Sequence, residues 1–370
     1  MNKWKIYRAA LHLLPARKES CSAGMMPDLK KILVKYRAMG ASICVFDAEG
    51  IRECHVYGRA SKTQPVTRET RFRTASVSKH VTALGTMKLK EEGKVSIDAD
   101  VSEALGFPLR HPAAPDTPIT LRMLLSHVAG IHDGESYLQG LREGSKLSQI
   151  LQGDSFTLHQ PGQCWEYSNL GGGIIGSVLE GFAGINFDTL MKQTVFEPLA
   201  ITASYYPQRL GRPLADAWRI LPPSGHPQYN AEERLSRPLP EDKPDPEQHW
   251  SLAHGNLCIT AEDLAVIGRA LICPGFLSAE TLEEMRSAVA RFGKRAPDLS
   301  EGIGTFILKN KSISAHVIYG YQGLAYGAVH GLFYDPISER GFAMLSTGVS
   351  EARNGVITDI NADLIRLLIG

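Results

Sequence analysis

Strand-like segments stand near both ends of this 370-residue chain, and helical patterns fill the stretch between them. Residues 42–46 and 52–57 predict a hairpin, and β-rich runs punctuated by glycine follow at 315–319, 326–334 and 341–347. Strands need partners for their backbone N–H and C=O groups. We therefore expect one sheet assembled from both ends of the chain. The predicted class is α+β, an α/β sandwich in which helices flank an antiparallel sheet.

This organisation divides the chain into two predicted regions. An α/β sheet region comprises residues 26–100 and 250–370, and a mostly helical region spans residues 101–249. Nine of the 21 prolines fall within a proline-rich excursion at 207–246, which is either a lid or a decorative surface insertion. Its neighbouring aromatic residues either wall an apolar pocket or pack in the core; they are Tyr205, Tyr206, Trp218 and Tyr229.

Charge and hydropathy exclude several classes of partner. Lysine and arginine total 40 and aspartate and glutamate 39, so the formal net charge is +1. Nucleic acids and anionic membranes attract a field of one sign, so neither is expected as a partner. No segment approaches the ~20 apolar residues of a transmembrane helix. The apolar run at 9–14 is interrupted by His12 and ended by Pro15, which predicts neither a cleavable signal nor an anchor.

Cysteine usage bears on the compartment. The six cysteines form no C-x-x-C pair, which disfavours a zinc ribbon or a thioredoxin-type site. In the predicted hairpin, Cys44 and Cys54 lie opposite each other on adjacent strands. We interpret them as two buried thiols in a reducing compartment, which favours the cytoplasm. Export through an irregular signal is the alternative.

The segment Ser76-Val77-Ser78-Lys79 is the only S-x-x-K in the chain. On a helix, positions i and i+3 share a face, so Lys79 would lie beside the Ser76 hydroxyl. A serine in the first turn also feels the positive end of the helix dipole, which favours an oxyanion there. A buried lysine loses much of its basicity and, when neutral, can accept the serine proton. The motif therefore indicates an activated nucleophile.

A second motif, Tyr167-Ser168-Asn169, is the only Y-x-N in the chain and follows the turn Pro161-Gly162. A phenol near Lys79 could relay a proton to a leaving group, and an asparagine amide could hold a substrate carbonyl. The sequence has no H-E-x-x-H and no Walker loop, and His249 and His254 lack the spacing of metal ligands. We expect no metal and no cofactor.

With these two motifs in this order, the chain resembles the serine β-lactamase and penicillin-binding protein superfamily. The resemblance is greatest to the branch that contains class C β-lactamases, D-Ala-D-Ala carboxypeptidases, D-aminopeptidases and β-lactamase-like esterases. Further similar segments support it, and together they cover most of residues 70–350: Phe72 to Lys79, Glu92 to Asp98, Leu124 to Ile131, Gly255-Asn256-Leu257 and Thr260 to Leu264. The resemblance implies a β-lactamase/transpeptidase-like fold.

The resemblance also implies roles for individual residues. Ser76 would be the acylated nucleophile, Lys79 its base, Tyr167 the second acid/base and Asn169 a substrate-binding residue. The third family motif usually reads K-T-G, H-x-G or W-x-G, and Tyr321-Gln322-Gly323 stands in its place, followed by Leu324. These four residues would bind substrate, with a backbone donor from Leu324 completing the oxyanion hole.

Tyr321 departs from the family pattern because it carries no positive charge. β-Lactamases and D-Ala-D-Ala carboxypeptidases recognise an anionic carboxylate, so neither activity is favoured. A neutral ester or amide fits better, or a substrate whose charge is met elsewhere, for instance by Arg295 or Arg353.

The leading hypothesis is thus a serine hydrolase that acts through a Ser76 acyl-enzyme on a small ester or amide. One alternative keeps the fold and makes the protein a D-amino-acid peptidase, a D-Ala-D-Ala carboxypeptidase or a β-lactamase. Another is a non-catalytic ligand-binding relative. The sequence does not fix the natural substrate or the oligomeric state.

Overall fold

The computed structural model describes residues 24–222, 225–353 and 355–370. The predicted absence of an export signal concerns residues outside these ranges. Within them, the strands and helices that surround Ser76 come from distant parts of the sequence.

The main sheet has eight antiparallel strands in the order β2-β1-β10-β9-β8-β7-β6-β5. The hairpin β1–β2 pairs with the last strand, β10, so the sheet joins both ends of the chain as predicted. A separate two-stranded sheet pairs β3 with β4. The strand bounds are β1 Gly40–Asp47, β2 Ile51–Gly58, β3 Phe72–Arg73, β4 Cys258–Ile259, β5 Ala290–Arg291, β6 Leu299–Glu301, β7 Phe306–Leu308, β8 Ile318–Ala325, β9 Ala328–Asp335 and β10 Arg340–Thr347.

Most of the described α-helices lie between the hairpin and the C-terminal strands. The bounds are α1 Pro27–Lys35, α2 Val77–Glu91, α3 Ser102–Leu105, α4 Leu121–Leu125, α5 Glu135–Glu143, α6 Leu147–Ile150, α7 Asn169–Ala183, α8 Phe187–Met191, α9 Ala231–Ser236, α10 Ala261–Ile272, α11 Ala279–Arg286 and α12 Asp359–Leu368. In the part of the chain that the structure describes, no single helix is long and apolar enough to span a membrane. Only α7 together with Phe187–Phe196 has the required length and composition, across a bend of 82°.

Both faces of the sheet are buried, which confirms the α+β sandwich. Along β10, Ala343 and Leu345 belong to the hydrophobic core beneath α10, whereas Phe342 and Met344 belong to the core beneath α12 and α1. Successive strand side chains point to opposite faces, so each strand supplies both layers. Burying this apolar surface on two sides stabilises the sheet.

The strand that borders Ser76 begins and ends later in the sequence than predicted. A strand was expected at 315–319, and β8 instead runs from Ile318 to Ala325, through the third family motif. β7 pairs with residues 318–320 alone. On the edge of β8 that faces β7, none of the described strands pairs beyond Gly320. The backbone groups of residues 321–325 are therefore open on that side.

The interpretation of Cys44 and Cys54 as free thiols is wrong. The predicted register is confirmed, with Cys44 opposite Cys54 across β1 and β2, and the two sulfurs form a disulfide. A directly opposed pair on adjacent strands brings the Cα atoms to 4.2 Å, close enough for the bond. The cysteine argument for a cytoplasmic location therefore lapses.

Candidate active site

Ser76 lies at the start of α2, where its side chain is held by two others. Its Oγ accepts a hydrogen bond of 2.6 Å from the Tyr167 hydroxyl and lies 3.3 Å from Lys79 Nζ. The preceding residue, Ala75, has a left-handed backbone with φ of 49°, which a non-glycine residue adopts only at a cost. The structure thus brings together the S-x-x-K and Y-x-N motifs, which lie 91 residues apart between Ser76 and Tyr167.

Lys79 is buried, and its amine hydrogen-bonds to three oxygen atoms and lies 5.2 Å from the centre of the Tyr167 ring. Besides Ser76, Nζ donates to Asn169 Oδ1 at 2.9 Å and to the His254 carbonyl at 2.5 Å. Burial lowers the pKa of Lys79 to about 7, and the carboxylate of Asp133 opposes that shift. A neutral amine has two protons, which the amide and carbonyl oxygens can accept. Its lone pair is then left for the Ser76 proton.

A glycine on the facing helix makes room for this lysine. A Cβ at Gly172 of α7 would lie 2.7 Å from Lys79 Cε. Close approach of α7 to α2 therefore depends on the missing side chain at this position. This glycine belongs to a run that formally resembles a dinucleotide-binding pattern, and it serves helix packing.

Asp133 is a site residue that the sequence did not reveal. Its carboxylate accepts from Asn169 Nδ2 at 2.8 Å, from the backbone N–H of Asn169 and Leu170, and from the Ser168 hydroxyl. It therefore satisfies the N-terminus of α7 and turns the Asn169 oxygen toward Lys79. Asp133 lies in a loop, where nothing local indicates contacts more than 30 residues away.

Tyr321 belongs to a chain of hydrogen bonds that ends at Ser76. His127 Nδ1 accepts from the Ser168 backbone N–H, so the proton of the neutral ring is on Nε2, 3.1 Å from the Tyr321 hydroxyl. Burial lowers the pKa of His127 to about 3, which keeps the ring neutral. The Tyr321 hydroxyl also bonds to that of Tyr167, which donates to Ser76. The hydrogen-bonded groups around Tyr321 are thus neutral.

The same network fixes the protonation state of Tyr167. Burial raises the pKa of Tyr167 above its ordinary value, so the side chain is a neutral phenol at physiological pH. A phenol that already donates to Ser76 is suited to release a proton, whereas Lys79 is suited to accept one. The two candidate bases therefore differ in protonation, because Tyr167 holds a proton that it can give and Lys79 can accept one.

The open edge of β8, at residues 321–325, lies directly against Ser76. A Cβ at Gly323 would lie 2.2 Å from the Thr74 carbonyl oxygen and 3.0 Å from the Ser76 nitrogen. Leu324 lines the same cavity as Ser76. The Gln322 amide is engaged elsewhere, since its nitrogen donates to the Val356 carbonyl and its oxygen accepts from the Thr358 N–H. Any substrate contact from Gln322 would therefore come from its backbone.

We expect Gly323→Ala to reduce kcat/KM for an ester about 100-fold, because the added methyl pushes β8 away from Ser76 and spoils an oxyanion donor. Gly153→Ala is the control, since a Cβ there meets nothing within 4 Å. Kinetics and thermal unfolding of both variants would be compared. Full activity in Gly323→Ala would contradict this account of the strand edge.

A cavity of about 810 Å³ opens in front of Ser76. Several of its walls are aromatic, among them Trp165, Phe292 and Phe306. Arg353, one of the cations expected to meet substrate charge, lines it together with Glu166 and Glu351, so acidic side chains outnumber the basic one among the described lining residues. No group of three or more His, Cys, Asp or Glu among the described residues is placed to hold a metal ion.

Comparison with known proteins agrees with this geometry. The model of the beta-lactamase family matches residues 24–366. Penicillin-binding protein 4* of Bacillus subtilis is 28% identical over 178 residues, which are 45% of this chain and 38% of that protein. Lovastatin esterase of Penicillium rubens is 30% identical over 203 residues, 45% of this chain and 49% of that protein. The matched segment thus spans less than half the length of these curated relatives.

The fold is shared with solved structures over nearly the whole chain. The structure described as "EstCE1, a hydrolase with promiscuous acyltransferase activity" superposes with a TM-score of 0.74 at 23% identity, covering 93% of this chain and 97% of that one. An identity this low supports the fold and leaves the reaction to be argued from the site.

Proposed function

The chain belongs to the beta-lactamase family, and we propose that it is a serine hydrolase that cleaves small esters or amides through a Ser76 acyl-enzyme. One observation carries the proposal. The Ser76 hydroxyl stands between a lysine of lowered pKa and a neutral phenol, at the mouth of an aromatic cavity. A nucleophile with a base on one side and an acid on the other is what acyl transfer needs.

In the acylation step, neutral Lys79 accepts the Ser76 proton as Oγ attacks the substrate carbonyl. The backbone N–H of Ser76 and a donor from the β8 edge, predicted to be Leu324, stabilise the oxyanion. As the tetrahedral intermediate collapses, the Tyr167 phenol donates its proton to the departing alcohol or amine, and the Lys79 ammonium returns a proton to the phenolate. Lys79 and Tyr167 thus end the step in the protonation states in which they began it.

Deacylation reverses these roles with water as the nucleophile. A water molecule gives its proton to the lysine and tyrosine pair as it attacks the acyl carbon, and Ser76 Oγ departs with a proton. The sum is hydrolysis of an ester or amide to an acid and an alcohol or amine. The Asn169 amide donates one N–H to Asp133 and accepts from Lys79, which leaves its second N–H to contact the acyl group in the cavity that Asn169 lines.

The leaving-group side favours a neutral substrate. Tyr321 is fully buried and uncharged, and burial raises its pKa well above the ordinary value. A carboxylate beside it would lose hydration without gaining an ionic partner. Aromatic walls instead favour an apolar alcohol or aryl group.

We expect turnover of p-nitrophenyl butyrate and at least 100-fold slower turnover of a chromogenic cephalosporin, because the cephalosporin carboxylate would meet neutral Tyr321 rather than a cation. Absorbance assays with both substrates, under identical conditions, measure the ratio. Efficient cephalosporin turnover without ester turnover would favour the β-lactamase alternative over this proposal.

A further inference from the structure

A second cavity, of about 470 Å³, lies beyond the cleft described above, and its lining includes no Asp or Glu among the described residues. Three arginines contribute to it, together with tyrosines and prolines of the proline-rich excursion. The residues used in the argument below are Arg73, Arg234, Arg237, Tyr229, Tyr326 and His254.

Two of these arginines form no ion pair among the described residues, although Glu233 lies close enough to interact electrostatically with Arg234 as well as with Arg237. Arg73 donates through Nε to the neutral amide oxygen of Asn256 at 2.9 Å. Arg73 and Arg234 lie 5.9 and 5.3 Å from the centre of the Tyr229 ring, so one buried ring contacts two cations. The buried Arg234 Nε has no hydrogen-bond partner among the described residues. Two positive charges at one ring, with an unsatisfied donor, favour an anion in this cavity.

The third arginine provides a contrast. Arg237 forms an ion pair with Glu233, one helical turn away, and is exposed. Its charge is already compensated at the surface, where such pairs contribute little. The unpaired positive charge of the cavity therefore comes from Arg73 and Arg234.

The cavity adjoins the catalytic groups. Arg73 precedes Ser76 by three residues, and the carbonyl of His254, which lines the cavity, accepts from Lys79 Nζ. Tyr326 follows Leu324 by two residues, so one chain segment borders both cavities. Tyr167, which releases its proton to the leaving group, lines only the first cavity. The acyl part of the substrate is therefore the part directed to the second.

We propose that the second cavity is the acyl-side subsite and takes an acyl group that ends in a carboxylate. This inference rests on the proposed function. Hydrolysis of such an ester gives a dicarboxylate and an alcohol through the same Ser76 acyl-enzyme. Guanidinium groups would bind the distal carboxylate, and the tyrosine rings and proline side chains would contact the hydrocarbon linker.

The test compares two p-nitrophenyl esters of equal chain length, the monoester of adipic acid and the ester of hexanoic acid. Arg234→Gln is expected to lower kcat/KM for the adipate ester at least 10-fold, mainly through a higher KM, and to leave the hexanoate ester unchanged. Arg68→Gln is the matched control and should change neither, because Arg68 is an exposed arginine that pairs with Glu262 and lines neither cavity. Unchanged hexanoate turnover also shows that the variant is folded.

The outcomes separate the two proposals. Hexanoate turnover with no selective loss for adipate in Arg234→Gln overturns the acyl-side subsite and leaves the hydrolase proposal intact. No turnover of either ester by the wild-type protein overturns both. A selective loss in Arg68→Gln equal to that in Arg234→Gln would also contradict the subsite, because it would indicate a general surface charge effect.

Discussion

Ser76→Ala should lower ester turnover by about 10⁴-fold or more and abolish covalent labelling by a fluorophosphonate. The reason is that the Ser76 hydroxyl is the one atom in contact with both Lys79 and Tyr167, so no other group in the cleft takes its place. Intact-mass spectrometry after incubation with the probe, alongside p-nitrophenyl butyrate kinetics, measures both effects.

Ser78→Ala provides the matched control for this experiment. Ser78 lies on the same helix, but its hydroxyl bonds to Thr74 and to the Leu257 backbone rather than facing the cleft. Its variant should still be labelled. An adduct of undiminished yield in Ser76→Ala would refute the nucleophile, and a wild-type protein that neither reacts nor turns over esters would favour the non-catalytic alternative.

Replacing Lys79 with methionine should reduce kcat by about 10² to 10⁴-fold, since general base catalysis typically contributes that much. Methionine preserves the length and apolar stem of the side chain and removes the amine. Lys88→Met, on the same helix and directed to the Phe276 carbonyl, is the control and should leave ester hydrolysis unchanged.

The pH profile gives an independent measure of the same group. Because burial lowers the pKa of Lys79 to about 7, the amine is protonated and unable to accept a proton below that pH. We expect kcat/KM to fall about tenfold per unit of pH below 7 and to level off above it. Lys79→Arg keeps a positive charge that cannot be lost. Substantial activity in Lys79→Arg would show that charge, rather than basicity, is what the position requires.

Local sequence patterns were sufficient to predict helices and strands with a regular pattern. The hairpin β1–β2 was predicted within two residues of its bounds because strand alternation and a turn sequence are local features. The start of α10 also has a local cause, because Thr260 caps it by accepting from the Asp263 N–H. The strand β8 was misplaced because Gly320 and Gly323 interrupt its pattern, and Gly323 is where the strand approaches Ser76.

The Cys44–Cys54 pair shows a different limit. The sequence placed the two residues opposite each other, and the register agrees. Whether opposed thiols are oxidised depends on the exact separation of two backbones and on the chemical environment. Spacing along the chain determines neither, so the compartment inferred from it was unsupported.

By itself, the sequence determined that a serine and a lysine share one helical face and that a tyrosine with an asparagine follows far along the chain. It also determined that no cation stands at Tyr321. Only the tertiary structure decided how Asp133, His127 and the His254 carbonyl hold these groups, and that Arg73 and Arg234 border a second cavity. Periodicity records contacts within a helix or strand, whereas these contacts join segments that only the packing of α2, α7 and β8 brings together.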